Sequence, residues 1–144
     1  MNVMTLKGIS SREKLTFKMI KYLLILNRMG KTRLQKYYIS IKDTEILKSK
    51  IHSLVCHKEL QSHTNIIDLN SDGTLLVFKR YAGLYFIMCI DSSDDKLLHL
   101  ESIHFLVEVL DSFFRNVCEL DLVFNFYRVY SIICLLYTSP SPRD

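Results

Sequence analysis

An antiparallel sheet packed with helices, the α+β class, is what the order of apolar patterns in this 144-residue chain implies. Three observations carry that reading. Two pairs of strand-like apolar runs are joined by reversals, Asn27-Arg28-Met29-Gly30 and Asn70-Ser71-Asp72-Gly73, whose glycines suit tight hairpin turns. The run from Leu84 to Ile90 is apolar throughout and rich in aromatics, as suits a central strand buried on both faces. Helical spacing of apolar residues occurs once between the hairpins and again after the last strand.

In chain order, Met19 to Leu26 and Lys31 to Ile39 read as the first hairpin, with Gly30 supplying the positive φ of the reversal. From Asp43 the period changes. Ile46, Leu47, Ile51, Leu54 and Val55 recur on one helical face, which predicts a helix to about Leu60 with Asp43 or Thr44 as N-cap. Asn65 to Leu69 and Thr74 to Arg80 flank the Asp-Gly turn, and Leu84 to Ile90 completes five strands. Beyond Ser92, the residues Ile103, Leu106, Val107, Leu110, Phe113 and Phe114 form a wide stripe, and Asn116 suits a left-handed helix stop. Leu120, Val123, Phe124, Tyr127 and Tyr130 keep helical spacing, which predicts a third helix after a very short connection. The Ser-Pro repeats of the tail cannot extend that helix, because proline removes a donor and biases its predecessor away from helical geometry.

Composition narrows the class of protein. Hydrophobic residues make up 49% and charged residues 24%, with 4 Gly and 2 Pro, the profile of one folded domain. Most of the net charge of +4 sits in the first eighteen residues, where Lys7, Arg12, Lys14 and Lys18 face only Glu13. The remaining basic residues are scattered, without the aromatic-interleaved stripe that tracks a phosphate backbone, so no nucleic-acid partner is expected. Cys56, Cys89, Cys118 and Cys134 lie far apart with no CxxC pair, which suits reduced thiols in the cytosol. The apolar runs all fall short of the ~20 residues of a membrane-spanning helix, and no small-residue cleavage site follows the first of them.

Chemistry-bearing patterns are sparse. Glu101-x-x-His104 has the spacing of di-iron bundles, but those sites need two such motifs and two further glutamates. His52, Cys56, His57 and His63 match no strong zinc template. Phosphate-cradling loops, nucleophile elbows and dinucleotide fingerprints are missing from the sequence. The chain is therefore not expected to be an enzyme, and no cofactor or metal is implied.

Three segments in order and spacing are more specific: Lys79-Arg80-Tyr81-Ala82-Gly83-Leu84-Tyr85-Phe86, then Ile103-His104 with Val107-Glu108-Val109-Leu110, then Asn116-Val117-Cys118-Glu119-Leu120-Asp121-Leu122-Val123-Phe124-Asn125-Phe126-Tyr127. Together with Met19-Ile20-Lys21 and Asn27 to Leu34, they resemble the small (sigma) subunit of clathrin adaptor complexes, from Met19 to about Ile133. The resemblance implies a longin-like fold, a five-stranded antiparallel sheet with helices on both faces and the C-terminal helices truncated. Residues 1–18 are then a disordered or non-native leader, 19–133 the domain, and 134–144 a disordered or non-native tail.

The resemblance also implies a non-catalytic role: stabilising the core of an adaptor heterotetramer and capturing acidic dileucine sorting signals in vesicle-mediated transport. Its partners would be a large adaptin subunit of alpha type, beta and mu subunits, and the cytosolic tails of cargo. Its place would be the cytoplasmic face of coated pits, at the membrane through the complex. Tyr81-Ala82-Gly83-Leu84 and Phe124 to Tyr130 lie nearer the endocytic complex than the Golgi and endosomal one, whose large subunit is of gamma type. A longin-like coat subunit such as coatomer zeta, without dileucine recognition, is the other reading.

An acidic dileucine receptor needs a cation at one end and apolar pockets at the other. The resemblance assigns the cation to Arg33, whose planar fork suits a carboxylate, and the pockets to Ala82 and Leu84 on the fifth strand, Val107 on the long helix, and Asn116, Val117 and Leu122 around the following turn. Periodicity alone reads Leu84, Val107, Val117 and Leu122 as core. Arg28 and Lys31 beside the first turn are candidates for contact with a phosphorylated cargo residue or an acidic lipid head group; a solvated turn is the plainer reading.

Overall fold

The computed structural model describes residues 20–61, 65–69 and 73–137. The leader 1–18, the turn residues 70–72, His63 and the tail from residue 138 lie outside the described residues. Five strands form one sheet: β1 (Tyr22–Asn27), β2 (Thr32–Tyr37), β3 (Ile66–Asp68), β4 (Thr74–Tyr81) and β5 (Leu84–Asp91). Their order is β2-β1-β5-β4-β3, and every neighbouring pair is antiparallel. The helices are α1 (Thr44–Gln61), α2 (Lys96–Phe114), α3 (Glu119–Phe124) and α4 (Phe126–Leu136).

Alternation along the strands divides the core into two layers, because successive side chains of a strand point to opposite faces. Tyr22, Leu24 and Leu26 of β1 and Tyr85, Ile87 and Cys89 of β5 pack with Ile51 and Val55 of α1. Leu23 and Ile25 of β1 and Leu84, Phe86, Met88 and Ile90 of β5 pack with Ile103, Leu106, Val107 and Leu110 of α2 and with Val129, Ile132 and Ile133 of α4. Helices therefore cover both faces. β5 sits at the centre of the sheet and is buried along Leu84 to Ile90, which is why its sequence does not alternate.

Local chemistry sets both ends of α2. The Asp95 carboxylate accepts from the backbone N–H groups of Leu97 and Leu98 at 3.1 and 3.2 Å and caps α2. At its other end Arg115 and Asn116 are both left-handed, with φ of 52° and 79°. Asn116 is a stop residue as expected, but Arg115 adopts the same region without glycine.

Two expectations are revised. The predicted third helix is two helices broken at Asn125, and its expected inward stripe faces out: Leu120 is 62% exposed, Phe124 77% and Tyr127 85%. Leu122, Val129, Ile132, Ile133 and Leu136 are buried instead. Apolar residues lie on several sides of this segment, so the period alone did not select the inner one. Helix α4 also runs three residues past Ile133, to Leu136. The buried Tyr137 hydroxyl donates to the Ser102 carbonyl at 2.9 Å and accepts from the Ser102 hydroxyl at 2.8 Å, while Tyr38 donates to the Tyr137 carbonyl.

Candidate functional site

Three connections meet at one end of the sheet. In the β1–β2 turn, Asn27 Oδ1 accepts from the N–H groups of Met29 and Lys31 at 2.9 and 2.8 Å. Gly30 has φ of 87°, and a Cβ there would lie 2.7 Å from His52 Nδ1, so the turn needs glycine for both torsion and room. The β4–β5 turn uses Ala82 and Gly83, with φ of 52° and 77°, the double positive torsion of a tight hairpin. The α2–α3 connection is the third.

One carboxylate ties the second turn to the third connection. Asp111 Oδ1 accepts from the Tyr81 hydroxyl at 2.8 Å and from the Val117 N–H at 3.0 Å. Hydrogen bonding to Asp111 raises the Tyr81 pKa, because the carboxylate favours the protonated phenol. At the N-terminus of α3, Asp121 Oδ2 accepts from the Cys118 N–H at 2.9 Å.

Arg33 reaches this cluster through an irregularity in β2. In the β1–β2 register Ile25 pairs with Leu34 but Leu26 pairs with Thr32, so Arg33 is the extra residue of a β-bulge. Regular alternation would send Arg33 to the face opposite Leu34, which packs in the α2 and α4 layer. Instead Arg33 Nε donates to Glu119 Oε2 of α3 at 2.6 Å. The same oxygen accepts from Asn27 Nδ2 at 3.0 Å. The Asn27 bond first, and the Arg33 bond second, hold the Glu119 carboxyl below its usual range.

The predicted site residues therefore divide into a rim and a floor. Arg33, Ala82 and Asn116 are accessible, and Ala82 lies in the turn before β5 rather than on the strand itself. Arg28 is exposed and runs beside Gly83, where a Cβ would be 3.7 Å from its Cδ; Lys31 is exposed in the same turn. Leu84, Val107, Val117 and Leu122 are buried together in the layer under α2 and α4, so in this chain they fill their own space. A groove of ≈ 290 Å³ lies on the other face, between α1 and the sheet, lined by Ile39, Ile41, Leu47 and Leu54 among others.

Sequence reasoning missed Asn27, Asp111 and Glu119. The signal for Asn27 was its place at the head of a glycine turn; for Asp111 and Glu119 nothing in the sequence marked the distant partners Tyr81, and Asn27 with Arg33. Glu101 and His104 are exposed on α2, where His104 pairs with Glu108 at 3.2 Å. Among the described residues no group of three or more His, Cys, Asp or Glu is placed to hold a metal ion. The four cysteines, all described, are unpaired. Among the described residues no helix is long and apolar enough to cross a membrane.

The five-stranded antiparallel sheet with helices on both faces is longin-like, and comparison with known proteins gives the class of small adaptor chains. Residues 19–137 match the family model of the clathrin adaptor complex small chain, and the chain belongs to that family. It is 51% identical over 117 residues to the AP-2 complex subunit sigma of Neurospora crassa, covering 80% of each chain. It is 43% identical over 113 residues to the AP-1 complex subunit sigma-2 of Dictyostelium discoideum, covering 78% of this chain and 72% of that protein. Among structures, a chain in a homology model of the full-length AP-3 complex in a stretched open conformation superposes with a TM-score of 0.63 at 27% identity. That match covers 83% of this chain and 82% of the other.

Proposed function

We propose that the chain is the sigma subunit of an endocytic adaptor complex of AP-2 type, at the cytoplasmic face of the plasma membrane, and that it contributes the cargo surface for acidic dileucine signals. The higher identity to an AP-2 than to an AP-1 sigma subunit favours the endocytic complex over the Golgi one. A large subunit of alpha type would cover Leu120, Phe124 and Tyr127, whose exposed apolar side chains within eight residues mark an interaction surface. Beta and mu subunits would complete the heterotetramer.

One observation supports the cargo reading above the others. The bulge in β2 turns Arg33 toward α3, two residues beyond Val117, while Asp111 ties the Val117 N–H to the Tyr81 side-chain hydroxyl beside Ala82. A short extended peptide could then set its acid at Arg33 and its paired aliphatic side chains at Ala82, Asn116 and Val117, above Leu84, Val107 and Leu122. Because those lower residues are packed, the peptide leucines have to part Val117 and Leu122 from their neighbours. Full burial of each leucine contributes about 1.5–3 kcal/mol before ordering costs, so the apolar contacts supply affinity and the charge sets direction. Arg28 and Lys31 would serve as secondary cations for a phosphorylated cargo residue or a lipid head group.

The test is capture of an immobilised acidic dileucine peptide by reconstituted complex carrying wild-type chain or Arg33→Ser. The expected result is clearly lower retention of the variant. Equal retention, with the complex intact, would overturn the cargo reading and leave a purely structural coat subunit.

A further inference from the structure

We propose that Glu119, itself held by Asn27, is a positioning residue that presents the Arg33 guanidinium to an incoming carboxylate. This rests on the reading above that Arg33 meets an acid. The observation is a relay with fixed polarity. Asn27 Oδ1 is committed to the Met29 and Lys31 amides of its own turn, so the amide cannot flip and Nδ2 faces Glu119. Glu119 Oε2 then accepts from Arg33 through Nε at 2.6 Å.

The choice of nitrogen matters. Among the described residues this is the only hydrogen bond of the Arg33 side chain, so both terminal nitrogens of the fork remain for a ligand. A guanidinium fixed at Nε has lost most of the freedom that a long cationic side chain otherwise gives up on binding, and its outer edge suits a bidentate carboxylate. The bulge at Arg33 and the turn amides at Met29 and Lys31 belong to one hairpin, so the orientation is set by backbone at both ends. A competing role exists in principle: Glu119, as a second acid beside Arg33, could repel the cargo acid. The two roles predict opposite signs on removing the carboxylate.

The experiment uses reconstituted complex and two peptides, an acidic dileucine peptide and the same peptide with its acid replaced by glutamine. Glu119→Ala and Asn27→Asp, the latter keeping the turn acceptor but removing the donor to Glu119, should each weaken the acidic peptide by about two- to fivefold, the range of a partly exposed ion pair. Neither should change the neutral peptide. Glu119→Gln, whose amide oxygen can still accept from Arg33, should stay near wild type. Tighter or unchanged binding of the acidic peptide by Glu119→Ala, or equal weakening of both peptides, would overturn the positioning role. If wild-type complex fails to distinguish the two peptides, Arg33 meets no acid, and the functional reading falls before Glu119 is tested.

Discussion

Ala82 shows how a single torsion can be a stability reserve. It holds φ of 52°, a region in which a Cβ costs roughly 1–2 kcal/mol, and glycine recovers part of that at some cost in unfolded-state entropy. Ala82→Gly is therefore expected to raise stability by about 0.5–1 kcal/mol in a denaturant titration, without moving the hairpin. Tyr137 carries the opposite case. Its hydroxyl accepts from the Ser102 hydroxyl and donates to the Ser102 carbonyl in a buried site, so Tyr137→Phe should cost about 1–3 kcal/mol. Adding Ser102→Ala to that variant should cost much less than it does alone. Glu119 gives a pH signature. Its folded pKa lies below the ordinary 4.5, so its contribution is complete well above that value and is lost as pH falls through the folded pKa. The stability gap between wild type and Glu119→Gln should be present at neutral pH, small because the pair is partly exposed, and closed in acid below 4.5.

At the scale of elements, the helix with a wide stripe and a left-handed stop was legible, while its N-cap and the helices after it were not. Ile103, Leu106, Val107 and Leu110 are inward as their spacing indicates, and Asp95 starts their helix. Replacing Asp95 with Ala should cost about 0.5–2 kcal/mol, measured by thermal denaturation, with amides of the first turn of α2 exchanging faster. The segment from Glu119 to Leu136 was misread because Leu120, Val123, Phe124 and Tyr127 keep a regular period on a face that the chain leaves open. Periodicity reports that a face is apolar, not what covers it. The β2 bulge was equally invisible, since nothing in Thr32-Arg33-Leu34 distinguishes a bulged arginine from one in register; pairing with β1 decides it.

Across the whole molecule, the two layers share one strand. Ile87 packs toward α1 and Met88 toward α2 and α4, both fully buried on β5. Neither layer is expected to unfold without the other. Ile87→Ala and Met88→Ala should each cost about 2–5 kcal/mol, and each should move a single unfolding transition seen alike by far-ultraviolet circular dichroism and by tyrosine fluorescence. Two separate transitions would show that the layers are independent.

The amino-acid order by itself determined the α+β class, five strands, the turn at Gly30, the central place of Leu84 to Ile90 and the likeness to adaptor small chains. Those features are local: a turn needs a particular torsion, a doubly buried strand needs unbroken apolar residues, and both needs are met by neighbours in sequence. Only the tertiary structure decided that Asn27, Arg33 and Glu119 form one relay, that Asp111 joins two connections, and which side of α3 and α4 turns inward. Each of these joins residues dozens of positions apart, and a polar side chain on a surface segment carries no mark of the distant group that will satisfy it.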